Sequence, residues 1–169
     1  TRKIEIIDNN HYKKSSDKKL NVKDKFEEKV GLLKVHPNMF PEQFEFFKNY
    51  NGLIIEGTGL GQAPVGTPNE LAKIHAKNLE AIKKIIKNGC IVVMTSQCIF
   101  GKVQMHVYSD AIDLVSAGVI SGKDTLTETA FIKLAWLLGN YKKDEVKELI
   151  TKNLKGEINE RLLKDEFLG

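Results

Sequence analysis

The sequence predicts an α/β fold, a three-layer α/β/α arrangement with a short, mostly parallel sheet of about four strands. Short apolar runs bounded by turn residues recur along the chain, and stretches with helical spacing separate them. The 169 residues suit a single domain. Because strands that alternate with helices form right-handed βαβ units, we expect a parallel sheet covered by helices on both faces.

The first third of the chain contains two predicted strands joined by a short helix. Residues 30–35 form an apolar run that a His-Pro pair ends, which is typical of a buried parallel strand. Pro41, followed by a glutamate in the first turn, predicts the start of the helix. Residues 53–56 predict the next strand, and a glycine-rich turn comes after it at residues 57–62.

A long amphipathic helix and a third strand come next. Pro68 predicts the start of this helix and Gly89 its end. The apolar face is predicted to carry a set of aliphatic side chains: Leu71, Ile74, Leu79, Ile82, Ile85 and Ile86. Residues 90–95 form the most apolar of the predicted strands, and residues 96–108 form a turn region after it.

The last third of the chain is predicted to be mainly helical. Residues 110–117 predict a short helix, and residues 119–120 predict a short fourth strand. Two helices are predicted to close the domain, at residues 129–138 and 143–153. Residues 156–163 are expected to add one or two further helical turns.

The first 28 residues are interpreted as an irregular lead-in segment to an α/β domain that spans residues 29–169. Residues 3–7 alternate weakly and predict an edge strand, whereas residues 9–24 are polar and rich in lysine. Because the lead-in segment buries little apolar surface, we expect it to be mobile or to pack against something outside this chain. The chain begins with Thr1 rather than Met, so we expect a fragment or a processed product.

The composition excludes several classes of protein. The net charge of +4 is too small for a typical nucleic-acid-binding protein, and the lysines alternate with acidic residues as on a solvated surface. The longest apolar run, at residues 130–138, contains Lys133 and is far shorter than the ~20 residues that span a bilayer, so we expect no membrane partner. Cys90 and Cys98 exclude a disulfide-rich scaffold and favour a reducing, cytoplasmic compartment.

The glycine-rich turn at residues 57–62 is the first candidate ligand site. Its glycines recur at every second position, a spacing that matches neither a phosphate-binding P-loop nor a dinucleotide fingerprint. We interpret it as a turn at the carboxyl end of a parallel strand, the edge of open α/β sheets where ligands bind.

Other reactive side chains lack the neighbours that a catalytic centre or a metal site needs. Ser96 and Cys98 come after the third predicted strand, but Ser96 is not in a nucleophile elbow and Cys98 has no base nearby. The four histidines lack metal-binding spacing, and we expect no metal or cofactor. Asp110 and Asp113 are interpreted as solvated or capping carboxylates, and Trp136 as a core or interface aromatic.

Five ordered motifs carry a family resemblance. They are IIEGTGLG at residues 54–61, MTSQ at 94–97, FGKV at 100–103, AGVI at 117–120 and ETAFIKLAW at 128–136. In order and spacing they resemble the C-terminal domain of the two-domain asparaginase/glutaminase family, and within it the D-type glutaminase subunits of the archaeal glutamyl-tRNA(Gln) amidotransferases. The lead-in segment is similar too, through EIID at residues 5–8 and DKFEEKV at residues 24–30.

The resemblance implies a mechanism whose reacting groups lie outside this sequence. In that family a threonine hydroxyl attacks the side-chain amide of Gln or Asn, an acyl-enzyme forms and ammonia leaves. A second Thr, an Asp and a Lys activate the nucleophile and relay protons. The family carries these groups in Thr-Gly-Gly-Thr and Gly-Thr-Asp-Thr stretches of its larger N-terminal domain, and neither stretch occurs here. The resemblance therefore assigns no catalytic residue to this chain, and we expect the chain alone not to hydrolyse glutamine.

The resemblance also implies contacts with the active site of a neighbouring subunit. In the bacterial asparaginase branch the turn after the second strand supplies an Asn, and Leu60 stands at that position here, with Gln62 and Tyr108 as alternative contacts. From their place at the carboxyl edge of the sheet, the substrate-adjacent candidates are Thr58, Leu60, Gln62, Ser96, Gln97 and Tyr108. The candidates for an interface between subunits are Met105, His106 and Trp136.

The resemblance implies several partners. They are an N-terminal asparaginase-like domain in the same or a separate chain, a second copy in a homodimer, and the E-type amidotransferase subunit, which phosphorylates and amidates the glutamyl group on tRNA(Gln). Transfer RNA is then contacted only indirectly. Two alternatives stay open, the C-terminal half of an archaeal L-asparaginase and an autonomous small-molecule-binding module. A weaker alternative is direct tRNA contact through the lysine-rich amino-terminal residues.

Overall fold

A four-stranded parallel sheet forms the centre of the fold. The computed structural model describes residues 19–159. Its strands are β1 (Val30–Lys34), β2 (Gly52–Gly57), β3 (Ile91–Ser96) and β4 (Ile120–Ser121), and they lie in that order across the sheet. The predicted fold class is confirmed, and every strand boundary lies within one residue of its prediction.

Helices cover both faces of the sheet. They are α1 (Pro41–Glu45), α2 (Lys73–Lys87), α3 (Ser109–Ala117), α4 (Thr127–Asn140) and α5 (Lys143–Leu149). The last helix is shorter than predicted, because the chain turns at residues 150–151. Gly156, further along, has a left-handed φ of 92°. Residues 156–159 are not helical, and the rest of that predicted segment lies outside the described residues.

The alternation of side chains along the strands divides the core into two parts. On β2, Leu53 and Ile55 pack with α1, α2 and α3, whereas Ile54 packs with α4 and α5. Because the strands succeed one another in space as they do in the chain, crossovers of one hand place the first three helices on the same face. The other face is left to α4 and α5.

The long helix begins later than predicted, and Leu71 does not belong to its buried face. Residues Glu70–Ala72 form a 3-10 turn, since the carboxamide oxygen of Asn69 accepts hydrogen bonds from two of its N–H groups at 3.0 and 3.2 Å. This turn directs Leu71 outwards with 93% of its surface exposed, whereas Ile82 and Ile85 are fully buried.

Residues 23–27 of the lead-in segment lie along α4. Three hydrogen bonds hold them: Lys23 O accepts from Trp136 Nε1 at 2.8 Å, Lys25 O accepts from Asn140 Nδ2 at 2.7 Å, and Glu27 N donates to Ala135 O at 3.0 Å. The expectation that the lead-in segment is mobile or packs outside this chain is wrong for residues 23–27. Hydrogen bonds between its main chain and α4 hold it, although it buries little apolar surface.

The ends of the chain lie outside the described residues. These include residues 1–18, with the predicted edge strand at residues 3–7 and the EIID motif, and residues 160–169. The domain boundary between residues 28 and 29 stays a prediction. Within residues 19–159, no helix has both the length and the hydropathy needed to cross a membrane.

Gly139 allows the lead-in segment to approach α4 closely. A Cβ atom at this position would lie 2.5 Å from the carbonyl oxygen of Lys25, which is main chain and cannot rotate away. A side chain here would therefore displace the segment or shift the helix.

Substitution Gly139→Ala is expected to loosen the lead-in segment, although alanine in a helix interior ordinarily stabilises by about 1 kcal/mol relative to glycine. The amide of Glu27, which bonds to Ala135 O, should exchange its hydrogen faster in the variant, as measured by NMR. Glu128→Ala, at an exposed position in the first turn of α4, is the control and should leave this exchange unchanged. Equal exchange rates in wild type and Gly139→Ala would contradict the close contact.

Candidate functional site

The carboxyl edge of the sheet carries the candidate site. Four loops leave the sheet there, at residues 35–40 after β1, residues 58–69 after β2, residues 97–108 after β3 and residues 122–126 after β4. Ligands of open α/β sheets bind at this edge. The structure brings the substrate-adjacent candidates to these loops or the strand ends next to them: Thr58, Leu60, Gln62, Ser96, Gln97 and Tyr108.

The loop after β2 is closed by the pairing of Thr58 with Gln62. The Thr58 N–H donates to Gln62 O at 3.0 Å, and the Gln62 N–H donates to Thr58 O at 2.9 Å. Gly59 and Gly61 have φ of 48° and 95°, where other residues are strained. A Cβ on Gly61 would also lie 2.7 Å from Cγ1 of Val103. The glycine spacing seen in the sequence is therefore required by a tight loop under close packing.

Ser96 joins the loop after β2 to the end of β3. Its hydroxyl donates to Gly59 O at 2.5 Å and accepts a hydrogen bond from the Cys98 N–H at 3.0 Å. Both bonds are internal to the domain. Ser96 therefore holds the loop in place in this structure.

Gln97 connects the ends of three neighbouring strands. Its side-chain nitrogen donates to Val35 O at 2.6 Å and to Glu56 O at 3.1 Å, and its main-chain N–H donates to Gly57 O at 2.8 Å. A carboxamide nitrogen has two hydrogens to donate, and both are used here. Gln97 is thus bound into the frame of the site, which its place in the sequence did not reveal.

Residues 103–105 lie across the edge and tie the loops together. The Val103 N–H donates to Lys123 O, and the Gln104 N–H donates to Leu60 O, each at 2.9 Å. The main chain of Leu60 is therefore committed to this contact. Met105 was expected at an interface, but its side chain is only 2% exposed and packs in the core beside α1, α2 and α3. Met105 follows these two bonds and its side chain lies in the core, so that expectation is corrected.

Gln62 contains an unsatisfied polar atom. Its side-chain nitrogen is buried and has no hydrogen-bond partner among the described residues. A buried donor without an acceptor costs about 1–3 kcal/mol. Among the six substrate-adjacent candidates, Gln62 is the one whose side chain carries such an unpaired buried donor.

Tyr108 and His106 both lie at the surface. Tyr108 precedes α3, its carbonyl accepts a hydrogen bond from the Ile112 N–H at 3.1 Å, and 55% of the residue is exposed. His106 is exposed as well. Both positions are thus accessible to a molecule at this edge.

Trp136 contacts the lead-in segment. Besides its bond to Lys23 O, its ring meets the ring of Tyr141 edge-on with centroids 5.7 Å apart. The ammonium of Lys23 lies 3.6 Å from the centroid of the Tyr141 ring, a cation–π contact. Trp136 thus meets a segment of its own chain, and its place at an interface between subunits stays a prediction.

A buried ion pair between Lys133 and Glu157 was not predicted. The Lys133 ammonium lies 2.7 Å from Glu157 Oε1 and donates to Lys152 O at 2.5 Å, with little of either paired side chain exposed. Glu157 also accepts the N–H groups of Leu154 at 3.0 Å and Lys155 at 2.6 Å. The pair therefore attaches the turns after α5 to α4.

The environment shifts the pKa of both members of this pair. Burial lowers the pKa of Lys133, and the hydrogen bond to Glu157 acts against that change. Burial acts to raise the pKa of Glu157, but hydrogen bonds from Lys133 and from main-chain N–H groups outweigh it and lower that pKa to about 2. The Glu157 carboxylate is therefore charged at neutral pH. The one signal in the sequence was a lysine inside the apolar run at residues 130–138.

An apolar groove of about 560 Å³ adjoins the pair. Its apolar walls come from the lead-in segment, from α4 and from the turns after α5: Phe26, Ile132, Trp136 and Leu154. Lys133 and Glu157 also line it, as do Glu128, Thr129 and Lys155. Across residues 19–159, no group of three or more His, Cys, Asp or Glu side chains is arranged to hold a metal ion.

Comparison with known families gives a match over most of the domain. A family model described as the glutaminase/asparaginase C-terminal domain matches residues 29–150. The chain is 43% identical to the D-type subunit of the glutamyl-tRNA(Gln) amidotransferase of Methanobrevibacter smithii and 41% identical to that of Thermococcus kodakarensis. Each match covers 98% of this chain and 36% of the relative. The chain therefore spans about a third of the length of the curated relatives it matches.

Solved structures agree with this assignment of the fold. L-asparaginase I from Vibrio cholerae matches with a TM-score of 0.70 and 29% identity over 85% of this chain and 41% of that one. The thermostable L-asparaginase from Thermococcus kodakarensis matches with a TM-score of 0.69 and 27% identity, over 81% and 40% respectively. In both cases this chain corresponds to less than half of the known structure.

Substitution Gln97→Ala is expected to destabilise the domain by about 1–3 kcal/mol, because the Val35 carbonyl loses its described donor and the Glu56 carbonyl keeps only the Val35 N–H. Urea denaturation measures the change. Gln104→Ala is the matched control, since the exposed side chain of Gln104 is the same type and its described bond is made by the main chain. Equal midpoints for the two variants would contradict the bridging role of Gln97.

The Glu157 pKa predicts how stability depends on pH. Since the folded pKa of about 2 lies below the ordinary 4.5, the ion pair contributes fully above about pH 4.5, and the contribution is lost as the pH falls towards 2. Glu157→Gln is expected to lower the free energy of unfolding at pH 7 by about 3 kcal/mol, because it leaves Lys133 buried without its partner.

Denaturation between pH 2 and 7 tests this dependence. The difference between wild type and Glu157→Gln should shrink as the pH falls below 4.5. Glu148→Gln removes the exposed pair with Lys152 and, as the control, should cost at most about 1 kcal/mol. A difference between wild type and Glu157→Gln that stays constant with pH would contradict the lowered pKa.

Proposed function

The chain belongs to the glutaminase/asparaginase C-terminal domain family, and we propose that it is the C-terminal structural and interface-forming domain of the glutaminase subunit of an archaeal tRNA-dependent amidotransferase. The observation that carries this proposal is the match to relatives named as D-type amidotransferase subunits, at 41–43% identity over 98% of the chain. The two asparaginase structures are less similar, at 27–29% identity.

In this proposal the chemistry takes place on a larger N-terminal domain. Its threonine hydroxyl attacks the side-chain amide carbon of glutamine, the carbon–nitrogen bond breaks and ammonia leaves with a relayed proton. Water then releases glutamate from the acyl-enzyme. Within the amidotransferase, the ammonia converts glutamyl-tRNA(Gln) into glutaminyl-tRNA(Gln), so the assembled protein acts in protein biosynthesis. The present chain supplies the frame that faces the active site.

The roles proposed for the six substrate-adjacent candidates divide into two groups. Ser96, Gln97 and the main chain of Leu60 are positioning groups, because their hydrogen bonds join the loops of the edge. Thr58 and Tyr108 are exposed and carry hydroxyls that can reach a molecule at this edge. Gln62 has an unpaired amide nitrogen that an oxygen acceptor from substrate or from a neighbouring domain would satisfy.

The proposed partners are those that the family resemblance implies. They are the N-terminal asparaginase-like domain, a second copy with His106 near the interface, and the E-type amidotransferase subunit, through which tRNA is contacted indirectly. The lysine-rich residues of the alternative direct tRNA contact lie largely outside the described residues. Both cysteines are free thiols, which supports a reducing, cytoplasmic compartment.

The C-terminal half of an archaeal L-asparaginase is the second candidate. The likeness to two L-asparaginase structures, at TM-scores of 0.70 and 0.69, favours it. An autonomous binding module would be expected to have an enclosed pocket, whereas the groove on α4 is largely open to solvent.

A chimeric enzyme tests the proposed function. This chain would replace the matching C-terminal part of the Methanobrevibacter smithii relative, and ammonia release from glutamine and asparagine would be measured. We expect activity with glutamine to exceed that with asparagine by at least about tenfold, or about 1.4 kcal/mol in transition-state binding. The chain alone should release no ammonia.

Two controls complete the test. The relative truncated before its C-terminal part should be inactive, and circular dichroism should show that the chimera is folded. A folded chimera with equal activity on asparagine would favour the asparaginase alternative. A folded chimera that is inactive on both amides would overturn the proposed function.

A further inference from the structure

The apolar groove on α4 lies where the chain enters the domain. Phe26 forms part of its wall and belongs to the lead-in segment that hydrogen bonds fix on α4. Phe26 is 54% exposed and Ile132 is 56% exposed. Earlier in the lead-in segment, Leu20 and Val22 are also largely exposed. Apolar side chains along one entry path are typical of a surface that another protein surface covers.

The charges of the groove favour an apolar occupant. Lys133 and Glu157 line the groove, but they neutralise each other at 2.7 Å and are turned towards their own hydrogen-bond partners. Glu128, Thr129 and Lys155 also line the groove, but most of the surface that faces into it is apolar. A charged segment would lose hydration against this apolar surface, whereas apolar side chains gain from burial.

The anchored lead-in segment determines which part of a longer protein lies nearest to the groove. Residues 23–27 are held on α4, so the part of a longer protein that precedes them is tethered beside the groove. The curated relatives are about three times as long as this chain, which covers 36% of them. Tethering raises the effective concentration of a neighbouring domain to about the millimolar range, far above that of a free second copy.

We propose that the groove on α4 is the docking surface for the N-terminal catalytic domain of the same protein, which fills it with apolar side chains. This inference rests on the proposed function, because it takes the catalytic domain to be the neighbour. A catalytic domain docked at this groove fixes the orientation of the carboxyl edge of the sheet relative to itself. The contact that does so does not involve the edge. The turns held by Glu157 then form one wall of an interdomain contact.

Calorimetry of the same full-length chimera tests the proposal. With the native groove, the two domains should unfold in one coupled transition. Ile132→Asp places a charge in the groove and should split the unfolding into two transitions. Phe26→Ser, at a second exposed wall position, should act in the same direction.

Leu71→Asp is the matched control, since Leu71 is also exposed and apolar but lies before α2 on the other face of the sheet. It should leave the single transition intact. In the isolated 169-residue chain, Ile132→Asp should change Tm by at most about 2 °C, because the position is exposed. A single transition in both groove variants would overturn the proposal, as would two transitions in the chimera with the native groove.

Ammonia release separates this proposal from the proposed function. A chimera that unfolds as one unit but releases no ammonia supports the docking surface and overturns the proposed function. A chimera that releases ammonia while Ile132→Asp keeps one transition and full activity overturns the docking surface alone.

Discussion

Burial of the second face of the sheet depends on α4. Because the strands lie in chain order, α1, α2 and α3 all pack on one face, and the other must be covered by the helices after β4. Leu134 and Leu137 of α4 are fully buried there, against Ile54 and Val93. The same helix receives the lead-in segment on its outer side and the turns after α5 through Lys133. The amphipathic surface of one helix therefore organises the core and both chain ends that the structure describes.

Lys133 shows how a charge can be accommodated in such a helix. Burying an unpaired ammonium would cost several kcal/mol, roughly 3–5 when a partner is removed from a buried pair. Glu157 and the carbonyl of Lys152 compensate for that cost, and Glu157 is itself held by main-chain N–H groups. These bonds fix the turns after α5 against α4. Specificity of this kind is the attested benefit of some buried ion pairs.

The fold was predictable because the sequence patterns that indicate its strands and helices each lie within a short stretch of the chain. Apolar runs bounded by turn residues located each strand within one residue, and the order of motifs indicated the family. The start of α2 was missed because the Asn69 carboxamide favours a 3-10 turn over direct helix entry. Met105 and the pairing of Lys133 with Glu157 were missed because each depends on residues distant in the chain. The carboxyl-edge location of the candidate site was predicted, whereas the bridging bonds of Gln97 require knowledge of three strand ends at once.

Two of the bonds that hold the lead-in segment reach main-chain carbonyls, at Lys23 and Lys25, from side chains of α4. Every residue type carries such a carbonyl, so the side chains of α4, and not those of the segment, determine the path of the segment. The segment can consequently diverge in sequence while its course is preserved, provided that Trp136, Asn140 and the bare Cα of Gly139 are kept. A designer could change the exposed side chains of the lead-in segment other than Phe26, for instance to alter its solubility, without redesigning the domain that receives it.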